Sequence, residues 1–188
     1  MKKTVCLIGP SGVGKSFYAK LLVKELDFAR PKTITTRKAR PDDDNHIYVS
    51  SEEFQGMIRN RKLLEWDEYS GNYYGIMLDE FRNLLLDENN NGVVMDLTLN
   101  GCRQVMELYG EVMVIALLPD DVSWLKKRLV ERGVNGVDEI EKRMKISEKD
   151  INAIGKMDAL IVYCRFEPEN TDEVLGDIVR AINKDKKN

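Results

Sequence analysis

Histidine is almost missing from this chain: among its 188 residues His46 is the only one. Cysteine is scarce too, with Cys6, Cys102 and Cys164 far apart and in no C-x-x-C pair. Without clustered thiols and imidazoles there is no zinc site to read, and three scattered cysteines read as reduced thiols of a cytoplasmic protein. A Ser-His-Asp hydrolase would depend on His46 alone, which falls in a polar stretch and reads as a loop; that chemistry is set aside. No apolar run approaches the roughly 18 residues that a membrane span requires. After Lys2 and Lys3 the apolar run Val5 to Ile8 stops at Gly9-Pro10, which reads as a strand rather than a secretion signal. Repeats, low-complexity segments and Pro-rich linkers are also lacking. Charge of one sign is not in excess: 29 basic against 32 acidic residues leave a net −3. Neither nucleic acid nor a membrane surface is the expected partner of such a chain.

What is present reads as one α/β domain. Thr4 to Ile8 is a short apolar run of the kind buried on both faces of a sheet. Lys15 to Leu26 follows as a helix with Phe17, Leu21, Leu22 and Leu26 at helical spacing, and Lys32 to Thr36 is β-branched and extended. Ser50 opens a helix running to about Asn60, with Glu53 placed to complete a capping box. Leu63 to Tyr69 and Asn72 to Ile76 read as strands around Ser70-Gly71, and Leu78 to Asp87 as a helix. Further core strands are expected at Val93 to Met95, Val112 to Leu118 and Leu160 to Val162. Helices are expected at Ser123 to Glu131, Asp138 to about Ile151 and Asp172 to Ile182, before a charged, frayed tail. The alternation implies a parallel sheet with helices on both faces, which binds ligands beyond the carboxyl ends of its strands. The residues just after Ile8, Thr36 and Met95 are therefore the ones to inspect. Trp66 and Trp124 read as packing residues.

After the first strand runs Gly9-Pro10-Ser11-Gly12-Val13-Gly14-Lys15-Ser16, a match to G-x-x-x-x-G-K-S/T. Glycines let successive backbone N–H groups turn inward around an anion, and the following helix aims its positive end at the same point. Ser11, Gly12, Val13, Gly14, Lys15 and Ser16 are accordingly the ATP-binding candidates, with Lys15 also a catalytic charge for the β- and γ-phosphates. Ser16 and Asp96, which ends the strand Val93 to Met95, are the candidate Mg²⁺ ligands. A switch GTPase and a phosphotransferase both use such a cradle. The switch reading needs N-K-x-D and D-x-x-G; Asn183-Lys184-Asp185-Lys186 misses the first and Asp96-Leu97-Thr98-Leu99 the second.

Beyond the second strand, Thr35-Thr36-Arg37-Lys38-Ala39-Arg40-Pro41 places two arginines three apart, able to clamp one phosphate with planar donors. Leu64-Glu65-Trp66 and Gly71-Asn72-Tyr73-Tyr74-Gly75 follow. With these motifs in this order the chain resembles the guanylate kinase family, from the phosphate loop to about Val162. The resemblance implies a P-loop parallel sheet with helices on both faces, forming a core (1–32, 77–130, 155–188), plus an inserted monophosphate-binding lobe (33–76) and a lid (131–154). It implies transfer of the γ-phosphoryl of MgATP to GMP or dGMP. Arg37, Arg40 and Tyr74 would hold the acceptor phosphate and Glu65 would read the base, its carboxylate accepting both N1–H and N2–H of guanine. Arg132 and Arg143, with Arg128, would act from the lid.

The chain departs from the family at several of these points. Thr33 stands for a base-touching Ser, Thr98 for the second acid of D-x-D, and Ile76 for a small hydroxyl residue at the guanine edge. His46 falls where a phosphate-binding Tyr is expected, and Tyr163-Cys164 replaces Asn-Asp. Thr33, Thr98 and His46 remain acceptor-binding candidates. The same chemistry on another nucleoside monophosphate, a modified base or a sugar phosphate stays open, as does a non-catalytic binding module, although such modules have degraded phosphate loops.

Overall fold

The computed structural model describes residues 2–39, 45–131, 133, 136–165 and 168–184. Its strands and helices alternate as β1 (Lys3–Ile8), α1 (Lys15–Leu26), β2 (Phe28–Ala29), β3 (Thr33–Thr35), β4 (His46–Tyr48) and α2 (Ser51–Arg59). Then come β5 (Leu63–Tyr69), β6 (Asn72–Met77), α3 (Leu78–Leu86), β7 (Gly92–Asp96), α4 (Leu99–Tyr109) and β8 (Met113–Pro119). The chain continues with α5 (Ser123–Glu131), α6 (Val137–Ile154), β9 (Leu160–Cys164) and α7 (Thr171–Lys184).

The core is a parallel five-stranded sheet in the order β2-β7-β1-β8-β9. Its central strands are apolar at nearly every position because both faces are covered. Val5 and Leu7 of β1, Val94, Ile115 and Leu117 face one layer with α1 and α7 (Tyr18, Leu22, Ile178). Cys6 and Ile8, Val93, Met95, Val114 and Ala116 face the other with Phe81 of α3 and Cys102 and Val105 of α4. The period-2 alternation of the strands thus sorts one apolar run into two cores.

A second, four-stranded sheet of order β4-β3-β6-β5 projects from this core, antiparallel except for the β3–β4 pair. The extended segment Lys32 to Thr36 belongs here, as β3, and not to the main sheet, whose strand at that end is the two-residue β2. β-branched residues favour extension but say nothing about which edge they join. His46, expected in a loop, lies on β4 in register with Thr33. α2 keeps its capping box: Ser50 Oγ accepts from Glu53 N at 3.1 Å, and Glu53 Oε2 from Ser50 N at 2.7 Å.

Three other expectations are corrected. In α1 the buried face is Tyr18, Ala19 and Leu22, while Phe17 is exposed. β9 is an edge strand, so Leu160, Ile161 and Tyr163 stay exposed and only Val162 and Cys164 are buried. Trp124 is buried as expected, but Trp66 sits at the surface against Tyr73. Helix α4 is absent from the sequence reading; Thr98 starts it as N-cap, its Oγ1 accepting from Gly101 N at 3.0 Å. No helix among the described residues is long and apolar enough to cross a membrane.

Candidate active site

The phosphate loop connects β1 to α1 at the carboxyl edge of the main sheet, with Gly14 immediately before the first helical residue, Lys15. Gly9 has φ +146°, and a Cβ there would lie 2.2 Å from the Leu117 carbonyl oxygen of β8. Glycine is required because the loop leaves the sheet in contact with a neighbouring strand's backbone. Lys15 Nζ donates to the loop's own carbonyls, Gly9 O at 2.7 Å and Pro10 O at 3.1 Å. Its charge is therefore held over the nest. Arg128 of α5 closes the other side: its Cβ lies 3.6 Å from where a Cβ on Gly12 would sit, and its guanidinium covers the Trp124 ring at 5.8 Å. Val13 is buried in the core beneath the loop.

Ser16 and Asp96, 80 residues apart in sequence, meet: Ser16 Oγ donates to Asp96 Oδ2 at 2.6 Å. The parallel register explains it, because Leu7 of β1 pairs with Asp96 of β7 and the loop then turns back over that strand end. A hydroxyl and a carboxylate are hard oxygen donors and suit Mg²⁺, which keeps waters and substrate phosphate oxygens as its remaining ligands. Among the described residues no group of three or more His, Cys, Asp and Glu could hold a metal by itself. The donor set therefore fits a cation shared with a polyphosphate. Arg30, which no motif flags, donates to the other oxygen, Asp96 Oδ1, from Nε at 3.0 Å and Nη2 at 2.6 Å. Its only sequence signal is a cation two residues beyond an apolar Phe28 and just before Pro31.

Glu65 is buried, 4% exposed, on β5. Burial first, then the neighbouring carboxylates of Asp67 and Asp96, push its carboxyl up to about 8, against a hydrogen bond from the Ile76 backbone that pulls it down. Its floor is the first turn of α4: a Cβ on Gly101 would stand 2.2 Å from Glu65 Oε2. A bare Gly101 is what leaves room for the carboxylate. Thr98 spends its hydroxyl oxygen on the α4 cap, and Ile76 is buried among Leu64, Phe81 and Met95.

β3 sets Thr33 between His46 and Ile76, and Thr35 between Tyr48 and Tyr74. Arg37 follows two residues on; its N–H donates to Thr35 Oγ1 at 3.3 Å, Nη1 donates to Lys38 O at 2.9 Å, and its guanidinium lies 5.7 Å from the Tyr48 ring centre. Tyr48 is a platform the sequence did not reveal, since only strand pairing brings β4 beside β3. Arg40 and Arg132 lie outside the described residues. On α6, Arg143 Nε donates to Glu139 Oε1 at 2.7 Å, and the same oxygen accepts from Ser70 Oγ of the β5–β6 turn at 2.6 Å. Those two donors hold the Glu139 carboxyl below its ordinary value. Asp150, also on α6, is pushed up by burial while the Lys15 charge pulls it down.

The geometry thus joins Lys15, Ser16, Asp96 and Arg128 around one loop, with Glu65 within the field of Asp96. A Lys-topped anion nest beside a paired hydroxyl and carboxylate suits polyphosphate chemistry.

The family model described as Guanylate kinase matches residues 1–182. A guanylate kinase of Bacillus cereus is 36% identical over 162 residues, covering 84% of this chain and 78% of the relative. One from Trichodesmium erythraeum is 31% identical over 180 residues, covering 92% and 95%. The crystal structure of guanylate kinase from Anaplasma phagocytophilum superposes with a TM-score of 0.72 at 20% identity, covering 100% of this chain and 87% of that one.

Proposed function

We propose that this chain, which belongs to the guanylate kinase family and is a phosphotransferase, moves the γ-phosphoryl group of ATP to GMP or dGMP. The observation that carries the acceptor is Glu65: a buried carboxyl seated on Gly101, able when ionised to accept two N–H groups from one base edge. Guanine offers N1–H and N2–H on that edge, whereas adenine presents a lone pair at N1 and is repelled. Residues 33–76 form the acceptor lobe and 131–154 the lid over the donor.

The acceptor phosphate is assigned to Arg37, Arg40 and Tyr74, which cancel the charge that would otherwise repel the donor. Lys15, Arg128 beside the loop and the lid arginines Arg132 and Arg143 stabilise the equatorial oxygens of the group in flight, and positioning supplies the rest of the acceleration. Ser16 and Asp96 hold Mg²⁺, which when bound neutralises polyphosphate charge. Closure of lid and lobe excludes water, which would otherwise compete as acceptor.

Ile76 and Thr98 support a second reading of the acceptor. One presents no hydrogen-bonding group and the other uses its hydroxyl oxygen on a helix cap, so the base edge has fewer polar partners beyond Glu65. A coupled assay with MgATP across GMP, dGMP, IMP, AMP, CMP and UMP tests both. Turnover with GMP or dGMP at least a hundredfold above AMP is expected. Absence of turnover with both guanine nucleotides overturns the guanine assignment and leaves the phosphotransferase with another acceptor.

A further inference from the structure

Arg30 stands outside every motif, yet it is built into the site. It follows β2, where Ala29 pairs with Val93, so it must reach along the sheet to Asp96 by about two residues, or roughly 7 Å. A long side chain is needed for that span, and Pro31 biases residue 30 towards the extended backbone that aims it there. The Arg30 side chain is 7% exposed and the Asp96 side chain 13%. Each oxygen of Asp96 then has a different partner: the Arg30 fork on Oδ1 and the Ser16 hydroxyl on Oδ2.

Two physical consequences follow. Two planar donors on Oδ1, with the Ser16 hydroxyl on Oδ2, hold both ends of the carboxylate and fix its rotation, and a point charge on a flexible stem pins Oδ1 less firmly. The guanidinium also cancels the carboxylate's charge, so a divalent cation approaching Ser16 and Oδ2 meets an ion pair rather than an anion. With no group of three carboxylates, thiolates or imidazoles among the described residues, the site without nucleotide offers a cation little net attraction. A triphosphate tail in the nest supplies the missing negative charge.

We infer that Arg30 is a positioning residue for phosphoryl transfer: it orients Asp96 and keeps the site from capturing a divalent cation until a nucleoside triphosphate brings one. This rests on the assignment of Asp96 and Ser16 to the metal. The test is an electron paramagnetic resonance titration of the nucleotide-free protein with Mn²⁺ alone, for wild type, Arg30→Gln, Arg30→Lys, Asp96→Asn and the double variant Arg30→Gln/Asp96→Asn. Arg30→Gln is expected to bind Mn²⁺ at least tenfold more tightly than wild type, the double variant to lose that gain, and Arg30→Lys, which keeps the charge, to stay within threefold of wild type.

Because removing one partner of a buried ion pair is strongly destabilising, Arg30→Lys provides a second, independent reading. It keeps the cation but not the fork, and should lower kcat about tenfold while the KM for ATP changes less than threefold. Folded Arg30→Gln with wild-type Mn²⁺ affinity, or Arg30→Lys with wild-type kcat, overturns the inference. The parent assignment fails separately: if Asp96→Asn leaves Mn²⁺ affinity unchanged in the presence of ATP, Asp96 is not a metal ligand at all.

Discussion

Replacing Glu65 by Gln should make this protein more stable and a worse enzyme, by amounts that depend on pH. Glu65 is buried, and its carboxyl is pushed up to about 8 from an ordinary value of 4.5. The folded state therefore binds a proton more tightly than the unfolded one. The stability associated with the neutral carboxyl is fully present below 4.5 and is lost as the pH rises through 8. Taking about 1.36 kcal/mol per unit, the ionisation penalty is under about 1 kcal/mol at pH 5, about 3 at pH 7 and about 5 at pH 9. Gln copies the shape of the neutral acid and does not titrate. Urea denaturation of both proteins should show the stability difference growing in favour of Glu65→Gln across that range. A difference that is flat with pH refutes the reasoning. Under the proposed guanine assignment function runs the other way, because the two N–H donors of the base need the ionised form. At pH 7 a group with a pKa of about 8 is about nine-tenths protonated, so GMP binding should release close to one proton from it. Calorimetry in two buffers of different ionisation enthalpy measures this, with Glu65→Gln as the control that retains only the phosphate's own contribution.

Gly101→Ala puts a methyl group 2.2 Å from Glu65 Oε2, so the carboxylate must move; kcat/KM for GMP should fall at least tenfold while the KM for ATP stays within threefold, read in a coupled assay. Lys15→Ala removes a charge held over the phosphate loop and should abolish transfer with an unchanged circular dichroism spectrum; full activity in that variant would refute the role of the nest. Ser50→Ala removes the hydroxyl that accepts from Glu53 N at the start of α2 and should cost about 1 kcal/mol, a shift of a few degrees in Tm with the KM for ATP unaffected.

Local chemistry alone determined a good part of this protein. The phosphate loop, the Ser50–Glu53 box, the strands flanking Ser70-Gly71 and the central apolar strands are legible because each is specified by residues a few positions apart. Loop conformation, capping and burial periodicity are short-range effects. Helix α4 escaped because its start is marked by a lone Thr98 and its first turn carries Gly101, a poor helix former. That glycine is explained only by Glu65, which lies far earlier in the chain and reaches α4 through the fold.

Tertiary structure decided what depends on non-local pairing. It moved the Thr33–Thr35 segment into a second sheet, set Tyr48 under Arg37, left β9 as an edge, and carried Arg30 across to Asp96. None of these can be read from spacing, because strand order is a contest among distant segments for the same hydrogen-bonding edge. The pattern of side chains along a strand states that an edge will be used, and only the folded chain states by whom.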